Sequence, residues 1–226
     1  MGYTVDSNIK PAIRDKEIEL LKGGFSYTEI ANITGAKVKS ISERNRLVYK
    51  IDIWEAFQRR IKADGIPNRL SVSDSFGNWF AGFFDGEGTI TVYTRPCSSN
   101  NGYFEFRLSI RVMLRDDDAD VITRIKDNLQ VGHVSRNGKR GDTNPTIAWV
   151  CERIEDLAEV IVPLFNNYPL YSKKAQEFAV WKPLVIQRYI DTLGGYSNRR
   201  SMPDNHRAAF HDAIETIRKI RDYPST

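Results

Sequence analysis

Two carboxylates stand between glycines at Asp85-Gly86-Glu87-Gly88, directly after the apolar stretch Trp79-Phe80-Ala81-Gly82-Phe83-Phe84. The stretch reads as a short helix, and the strand-like Thr89-Ile90-Thr91-Val92-Tyr93 follows at once. A helix C-terminus carries negative partial charge, which disfavours Asp and Glu there. A nearby divalent cation turns that conflict into attraction. The residues alone also allow a plainer reading, a helix stop followed by a tight turn, because Asp-Gly is a common turn dipeptide. Gly77 with Ala81, and Gly82 with Gly86, are small residues at helical spacing, each pair on one face where a second backbone can approach closely. Phe80, Phe83 and Phe84 take the other sides, so the helix is expected to be buried nearly all round.

Taken together, Phe80-Ala81-Gly82-Phe83-Phe84-Asp85-Gly86-Glu87-Gly88 resembles, position by position, the signature of the LAGLIDADG homing endonucleases. Aromatic residues replace the family's first leucine and its later apolar pair, and Glu87 replaces its final aspartate. The resemblance implies an α+β fold, an αββαββα module whose antiparallel sheet forms a saddle on DNA, and it extends over residues 76–182. It implies that Glu87 is a direct Mg²⁺ ligand, that Gly86 offers its backbone carbonyl, and that Asp85 holds helix ends together. In Tyr168-Pro169-Leu170-Tyr171-Ser172-Lys173-Lys174, leading into a helix over Ala175 to Lys182, the family has a basic residue near the scissile phosphate. Lys173 and Lys174 both stand as candidates. One departure concerns the end of the second strand, where better-known relatives carry polar or basic groups and this chain has Asp116-Asp117-Asp118.

The strands that must position this chemistry are legible in the alternation. From Phe104 to Arg115 one face carries Phe104, Phe106, Leu108, Ile110, Val112 and Leu114, and the other Glu105, Arg107, Ser109, Arg111, Met113 and Arg115. A period of two with one basic face marks a half-buried strand of an antiparallel sheet. By the same alternation Thr89, Thr91, Tyr93 and Arg95 share a face of the preceding strand. Hydroxyls and guanidiniums in such an array suit phosphates and the base edges of a major groove. His133, Ser135 and Arg136 extend the expected DNA face on a third strand. Ile147 to Val150 forms a fourth, whose buried side its wholly apolar sequence leaves open. Loops are expected at 95–102 and 137–145, helices at 117–129 and 154–165, and a last helix from Asp204 to Arg221 after a break at Pro183 and 194–203.

Upstream, Ser26-Tyr27-Thr28-Glu29 is a capping box. A glycine turn at Gly35 and a basic helix follow, with Val38, Ile41 and Leu47 on one side. The arrangement resembles a helix-turn-helix, with Lys37, Lys39, Ser40 and Arg44 in the recognition position. A plain helical cap with solvated charges is the alternative. Ile53, Trp54, Phe57 and Ile61 extend the small core, and the Gly- and Pro-containing run that follows marks a boundary. The expected organisation is a helix-turn-helix-like domain at 1–66, a linker at 67–75 and the endonuclease-like domain with a helical tail at 76–226.

Composition fits these assignments. The chain has 226 residues, 41% hydrophobic and 27% charged, with a net charge of +4 that permits nucleic-acid binding. No apolar run approaches the ~20 residues that span a bilayer, and the first residues lack a signal-peptide core, so no membrane partner is expected. Cys97 and Cys151 are too few for a disulfide framework, which points to the cytoplasm or another reducing compartment. His133, His206 and His211 lack metal-ligand spacing. One copy of the signature and no internal repeat imply a homodimer packed through the small residues Gly77, Ala81, Gly82 and Gly86, and its two-fold axis implies a roughly palindromic DNA target. The expected function is a site-specific, Mg²⁺-dependent double-strand DNA endonuclease with no small-molecule substrate. The alternatives are a non-cleaving transcription regulator and an RNA-binding intron-splicing cofactor.

Overall fold

The computed structural model describes residues 10–96, 104–138, 144–193 and 204–222. The terminus before Lys10, most of the loops expected at 95–102 and 194–203, the tip of that at 137–145, Cys97 and the side chain of Arg95 lie outside them. The chain divides into two compact units. The first runs to Ile66 and takes in the end of the long ninth helix from Ile190. The second runs from Pro67 to Tyr189 and takes in the last helix.

The first unit holds α1 (Pro11–Lys22), α2 (Tyr27–Thr34), α3 (Val38–Arg44) and α4 (Ile53–Asp64), with a π-turn over Asn45–Tyr49 after α3. Pro opens α1, where its missing N–H costs nothing. The capping box is formed in full: the Glu29 N–H donates to Ser26 Oγ at 3.2 Å and the Ser26 N–H to Glu29 Oε2 at 2.7 Å. Gly24, at φ +78°, lets the chain pass so close to α4 that a Cβ would lie 2.4 Å from the Ala56 carbonyl oxygen. Leu20, Leu21, Ile30 and Ile41 form the core, flanked by Phe25, Tyr27, Tyr49 and Ile51.

Three sequence expectations fail in this unit. Val38 and Leu47 are 43% exposed rather than joining Ile41 in the core, because Val38 opens α3 and Leu47 falls inside the π-turn. Arg44 is 5% exposed and therefore no DNA contact. Its Nε donates to Glu17 Oε2 at 2.9 Å and its Nη2 to Oε1 of the same fully buried carboxylate, which also accepts from Tyr49 at 3.0 Å. Burial disfavours the guanidinium charge, but Glu17 outweighs it and holds the group above its ordinary pKa. Removing one partner of such a pair typically costs about 3–5 kcal/mol. Lys37 and Lys39 are exposed, and Ser40 is half-buried.

The second unit begins before the expected boundary. Residues 67–75 are no free tether, since Arg69 donates to Asp156 at 2.8 Å and to Glu159, and its N–H to the Glu159 carbonyl at 2.8 Å. Ser73 caps α5 (Asp74–Glu87) by accepting from the Phe76 N–H at 3.2 Å. The sheet follows: β1 (Gly88–Pro96), β2 (Phe104–Arg115), β3 (His133–Asn137) and β4 (Thr146–Cys151), in the order β1-β2-β4-β3 with every pairing antiparallel. A 3₁₀ turn at Asp116–Asp118 leads into α6 (Ala119–Leu129). After β4 the short α7 (Ile154–Asp156) passes through a π-turn (Leu157–Ile161) into α8 (Val162–Asn167).

The core lies between the helices and one sheet face. Phe80 and Phe84 are fully buried, and Phe165 lies against both, with centroids 6.1 and 4.9 Å away. The edge of Trp149 meets Phe80 at 5.8 Å. Burying aromatic side chains this size contributes roughly 2–3 kcal/mol each. The long α9 (Lys173–Leu193) runs straight through Pro183, against the expected break. Proline removes only one helical hydrogen bond, and buried Trp181, Leu184, Val185 and Tyr189 on either side keep the helix docked. α10 (Asp204–Arg221) packs on β2 through Phe210, whose ring lies 4.8 Å from that of Phe106. No helix among the described residues is long and apolar enough to cross a membrane.

Candidate metal and nucleic-acid site

α5 ends where its last carbonyls need partners, and α9 begins where its first N–H groups do. The structure makes the two ends satisfy each other. Asp85 Oδ2 accepts from the Tyr171 N–H at 2.7 Å, and Oδ1 from Ser172 Oγ at 2.7 Å and the Ser172 N–H at 3.3 Å. In return Lys174 Nζ donates to the Asp85 carbonyl at 2.7 Å and to that of Gly86 at 3.4 Å. A carboxylate thus serves the positive end of α9 and an ammonium the negative end of α5. Of the two lysines left open by the sequence, Lys174 is the one on these carbonyls, while Lys173 is exposed.

Glu87 is exposed and has no hydrogen-bond or ion-pair partner among the described residues. Gly86 is exposed beside it. Its carbonyl and the Glu87 carboxylate form a small set of hard oxygen donors of the kind Mg²⁺ takes, with the remaining positions left to water and phosphate. The described residues contain no group of three or more His, Cys, Asp or Glu side chains able to hold a metal. Cys151 is buried in β4, and burial pushes its thiol pKa far up, so it offers no thiolate ligand.

The four small residues of α5 separate into two roles. A Cβ on Gly77 would lie 2.3 Å from the ring of Tyr168, and Ala81 is 4% exposed, so both face the unit's own core. This corrects their assignment to a partner-facing surface. Gly82 and Gly86 are exposed, and a Cβ on either would meet nothing within 4 Å. They share an open face with Asn78, beside half-buried Trp79 and Phe83, which stack at 5.3 Å under the Arg124 guanidinium. The helix is therefore not buried all round, because nothing among the described residues covers this side.

Register assembles the polar sheet face row by row. Thr89 pairs with Arg111, Arg111 with Val150, and Val150 with His133. Met113 pairs with Ala148 and Ala148 with Ser135, while Arg115 pairs with Thr146 and Thr146 with Asn137. Thr91 faces Ser109, and Tyr93 faces Arg107. Thr89, Tyr93, Met113, Arg115 and His133 are exposed, and Thr91, Arg107, Arg111 and Ser135 are half-buried. Ser109 is 7% exposed, too deep to display its hydroxyl. Arg136 pairs with Ile147 and so lies on the opposite face from His133 and Ser135, where its Nε meets Asp116 at 3.2 Å. The acidic run at the end of β2 is neutralised locally, since Asp117 also pairs with Arg115 at 2.6 Å. Thr146, Ala148 and Val150 lie on this face, which the sequence leaves open because β4 shows no alternation, and Asn137, expected in a loop, ends β3 on the same face.

Residues 80–185 match the family described as LAGLIDADG endonuclease. Over those residues, just under half of its length, the chain is similar to a LAGLIDADG domain. It is similar to the probable intron-encoded endonuclease 3 of Neurospora crassa, 25% identical over 123 residues, 53% of this chain and 22% of that protein. It is also similar to an uncharacterized 50.9 kDa protein in ND4 intron 1 of Podospora anserina, 27% identical over 113 residues, 48% of this chain and 23% of that protein. The likeness thus spans under a quarter of the length of either relative. Among solved structures, the LAGLIDADG meganuclease I-CpaMI bound to uncleaved DNA is 21% identical, with 66% of this chain and 52% of that chain covered and a TM-score of 0.45. The matched LAGLIDADG segment contains Asp85, Gly86, Glu87, the whole sheet and Lys174, whereas α1 to α4 and α10 lie outside it.

Asp85→Ala leaves the Tyr171 and Ser172 N–H groups and Ser172 Oγ without their acceptor. Hydrogen bonds to a charged group contribute about 1.5–3 kcal/mol, less here because the carboxylate is part-exposed. The variant is expected to lose about 1–2 kcal/mol in urea unfolding. Amide exchange should speed at Tyr171 to Lys174, and unchanged protection there would contradict the bridge.

Proposed function

We propose that the protein is a site-specific, Mg²⁺-dependent double-strand DNA endonuclease that acts as a homodimer on a roughly palindromic target. The observation that carries this reading is the unpartnered Glu87 carboxylate, set beside the Gly86 carbonyl and the Lys174 ammonium where α5 opens into β1. A pure DNA binder gains nothing from a bare acid next to phosphates. The intron-related names of the two fungal relatives fit the same reading.

Glu87 and the Gly86 carbonyl would hold Mg²⁺, which when bound supplies activation of water and stabilisation of a leaving oxygen. The chain's own groups do the rest. Lys174 brings a positive charge held in place by the Asp85 and Gly86 carbonyls, suited to offset charge developing on a phosphate. Arg107, Arg111 and Arg115 contact phosphates or guanine edges, and Thr89, Thr91, Tyr93, His133 and Ser135 add groove contacts. Lys37 and Lys39 would add phosphate contacts from the helical unit.

Each protomer offers one such carboxylate, and the open Gly82–Gly86 face is where a second α5 fits. A dimer through that face brings two Glu87 groups to one two-fold axis, as cutting both strands requires. A non-cleaving regulator is the second reading, favoured by the Lys174 ammonium already on the carbonyls that a metal would share.

Glu87→Gln keeps the shape and removes the charge. Cleavage of a genomic or randomised DNA library in Mg²⁺ is expected to vanish, while binding in Ca²⁺ holds or tightens. Relief of repulsion between unit charges a few ångströms apart is of order ~1–4 kcal/mol. Wild-type cleavage rates in this variant would end the mechanism. For the dimer, Gly82→Leu should leave protomer stability intact, since its Cβ meets nothing, yet abolish self-association in sedimentation velocity and cleavage with it. A wild-type monomer that cuts both strands would refute the interface.

A further inference from the structure

We infer that Arg221, the last residue of α10 and outside the LAGLIDADG-matched segment, is a positioning residue for the candidate site. Its Nη2 donates to the Ile90 carbonyl of β1 at 2.5 Å and to Glu177 Oε2 of α9 at 2.6 Å, and its Nε donates to Glu177 Oε1 at 3.2 Å. The fork therefore spans two elements that lie far apart in the sequence. Glu177 is 6% exposed, so the carboxylate is held in a dry setting where a bidentate guanidinium pair has fixed geometry. β1 is an edge strand, and its outward backbone groups have no ladder partner unless a side chain supplies one.

The positions matter because of what lies one turn or one strand step away. Ile90 is three residues beyond Glu87, and Glu177 is three residues beyond Lys174. One guanidinium thus ties the strand leaving the acid to the helix that delivers the ammonium. The Asp85 and Lys174 hydrogen bonds tie the start of α9 to the end of α5, the helix that runs directly into β1. One tie on each side of the α5–β1 junction removes a hinge that a single tie would leave. α10 itself is held elsewhere, by Phe210 on Phe106 and by buried Ala213 and Ile217, so losing the fork does not release the helix. Arg221 is not a free surface charge, since it is paired with Glu177 as Arg218 is with Glu215.

The inference rests on the endonuclease reading, and its test separates the two. Arg221→Met keeps the stem and removes the fork, and Arg221→Lys keeps one charge-assisted donor. The expected result for Arg221→Met is a drop of about tenfold or more in kcat at saturating Mg²⁺, since misplacement by about 1 Å can cost up to ~100-fold. The Kd for DNA in Ca²⁺ should stay within about twofold, and Arg221→Lys should recover part of the rate. Amide exchange should rise together at Gly88 to Val92 and at Tyr171 to Lys174, and remain unchanged across β3 and β4. Unchanged cleavage, a loss of binding in step with cleavage, or exchange rising throughout the unit would overturn the positioning role. A wild-type protein that cuts no DNA would refute the endonuclease reading instead, and the exchange pattern alone would then decide whether the clamp couples β1 to α9.

Discussion

The meeting of two helix ends governs the second unit. Left alone, the C-terminus of α5 and the N-terminus of α9 would each need water or caps for their orphan backbone groups. Here a carboxylate at the end of α5 accepts two N–H groups and a hydroxyl at the start of α9, and a lysine from α9 donates back to the carbonyls of α5. Asp85 stands at a helix end where its charge is unfavourable, and the positive end of α9 compensates it. Once that exchange is made, Glu87 is the acid left over. It projects unpartnered where β1 starts, two residues before Thr89 opens the polar sheet face.

The interior supports this arrangement by packing aromatic side chains under it. Phe80, Phe84, Trp149 and Phe165 hold α5 against the sheet, and Gly88 gives the turn its clearance, since a Cβ there would lie 2.3 Å from the Phe84 ring. The same helix leaves Gly82 and Gly86 bare. One face of α5 is thus packed into its own unit and the other is open among the described residues, a division set by which glycine has a neighbour.

Local signals carried much of this into the sequence. The alternation in β2, the Ser26 and Glu29 cap, and the spacing of apolar residues in α5 each depend on neighbours along the chain, so they read correctly. Failures came where a distant partner decides. Arg44 looks like a surface arginine until Glu17, 27 positions away, is brought against it. Arg136 is a different case, since the alternation of β3 itself puts it opposite His133 and Ser135, where it meets Asp116. Pro183 reads as a break, but tertiary burial on both sides overrides it. The role of Gly77 hangs on the ring of Tyr168, 91 residues on. The choice between Lys173 and Lys174 needed the reach of a side chain to a carbonyl, which spacing does not encode.

The central claim is that a divalent cation binds where α5 ends, at Glu87 and Gly86. Paramagnetic Mn²⁺ titrated into isotope-labelled protein bound to duplex DNA tests this by line broadening, independently of cleavage. Broadening is expected for the amides of Asp85 to Thr89 and Tyr171 to Lys174, and should disappear in Glu87→Gln. Broadening centred on Asp116 to Asp118, or signals near Glu87 that stay sharp at saturating Mn²⁺, would contradict it.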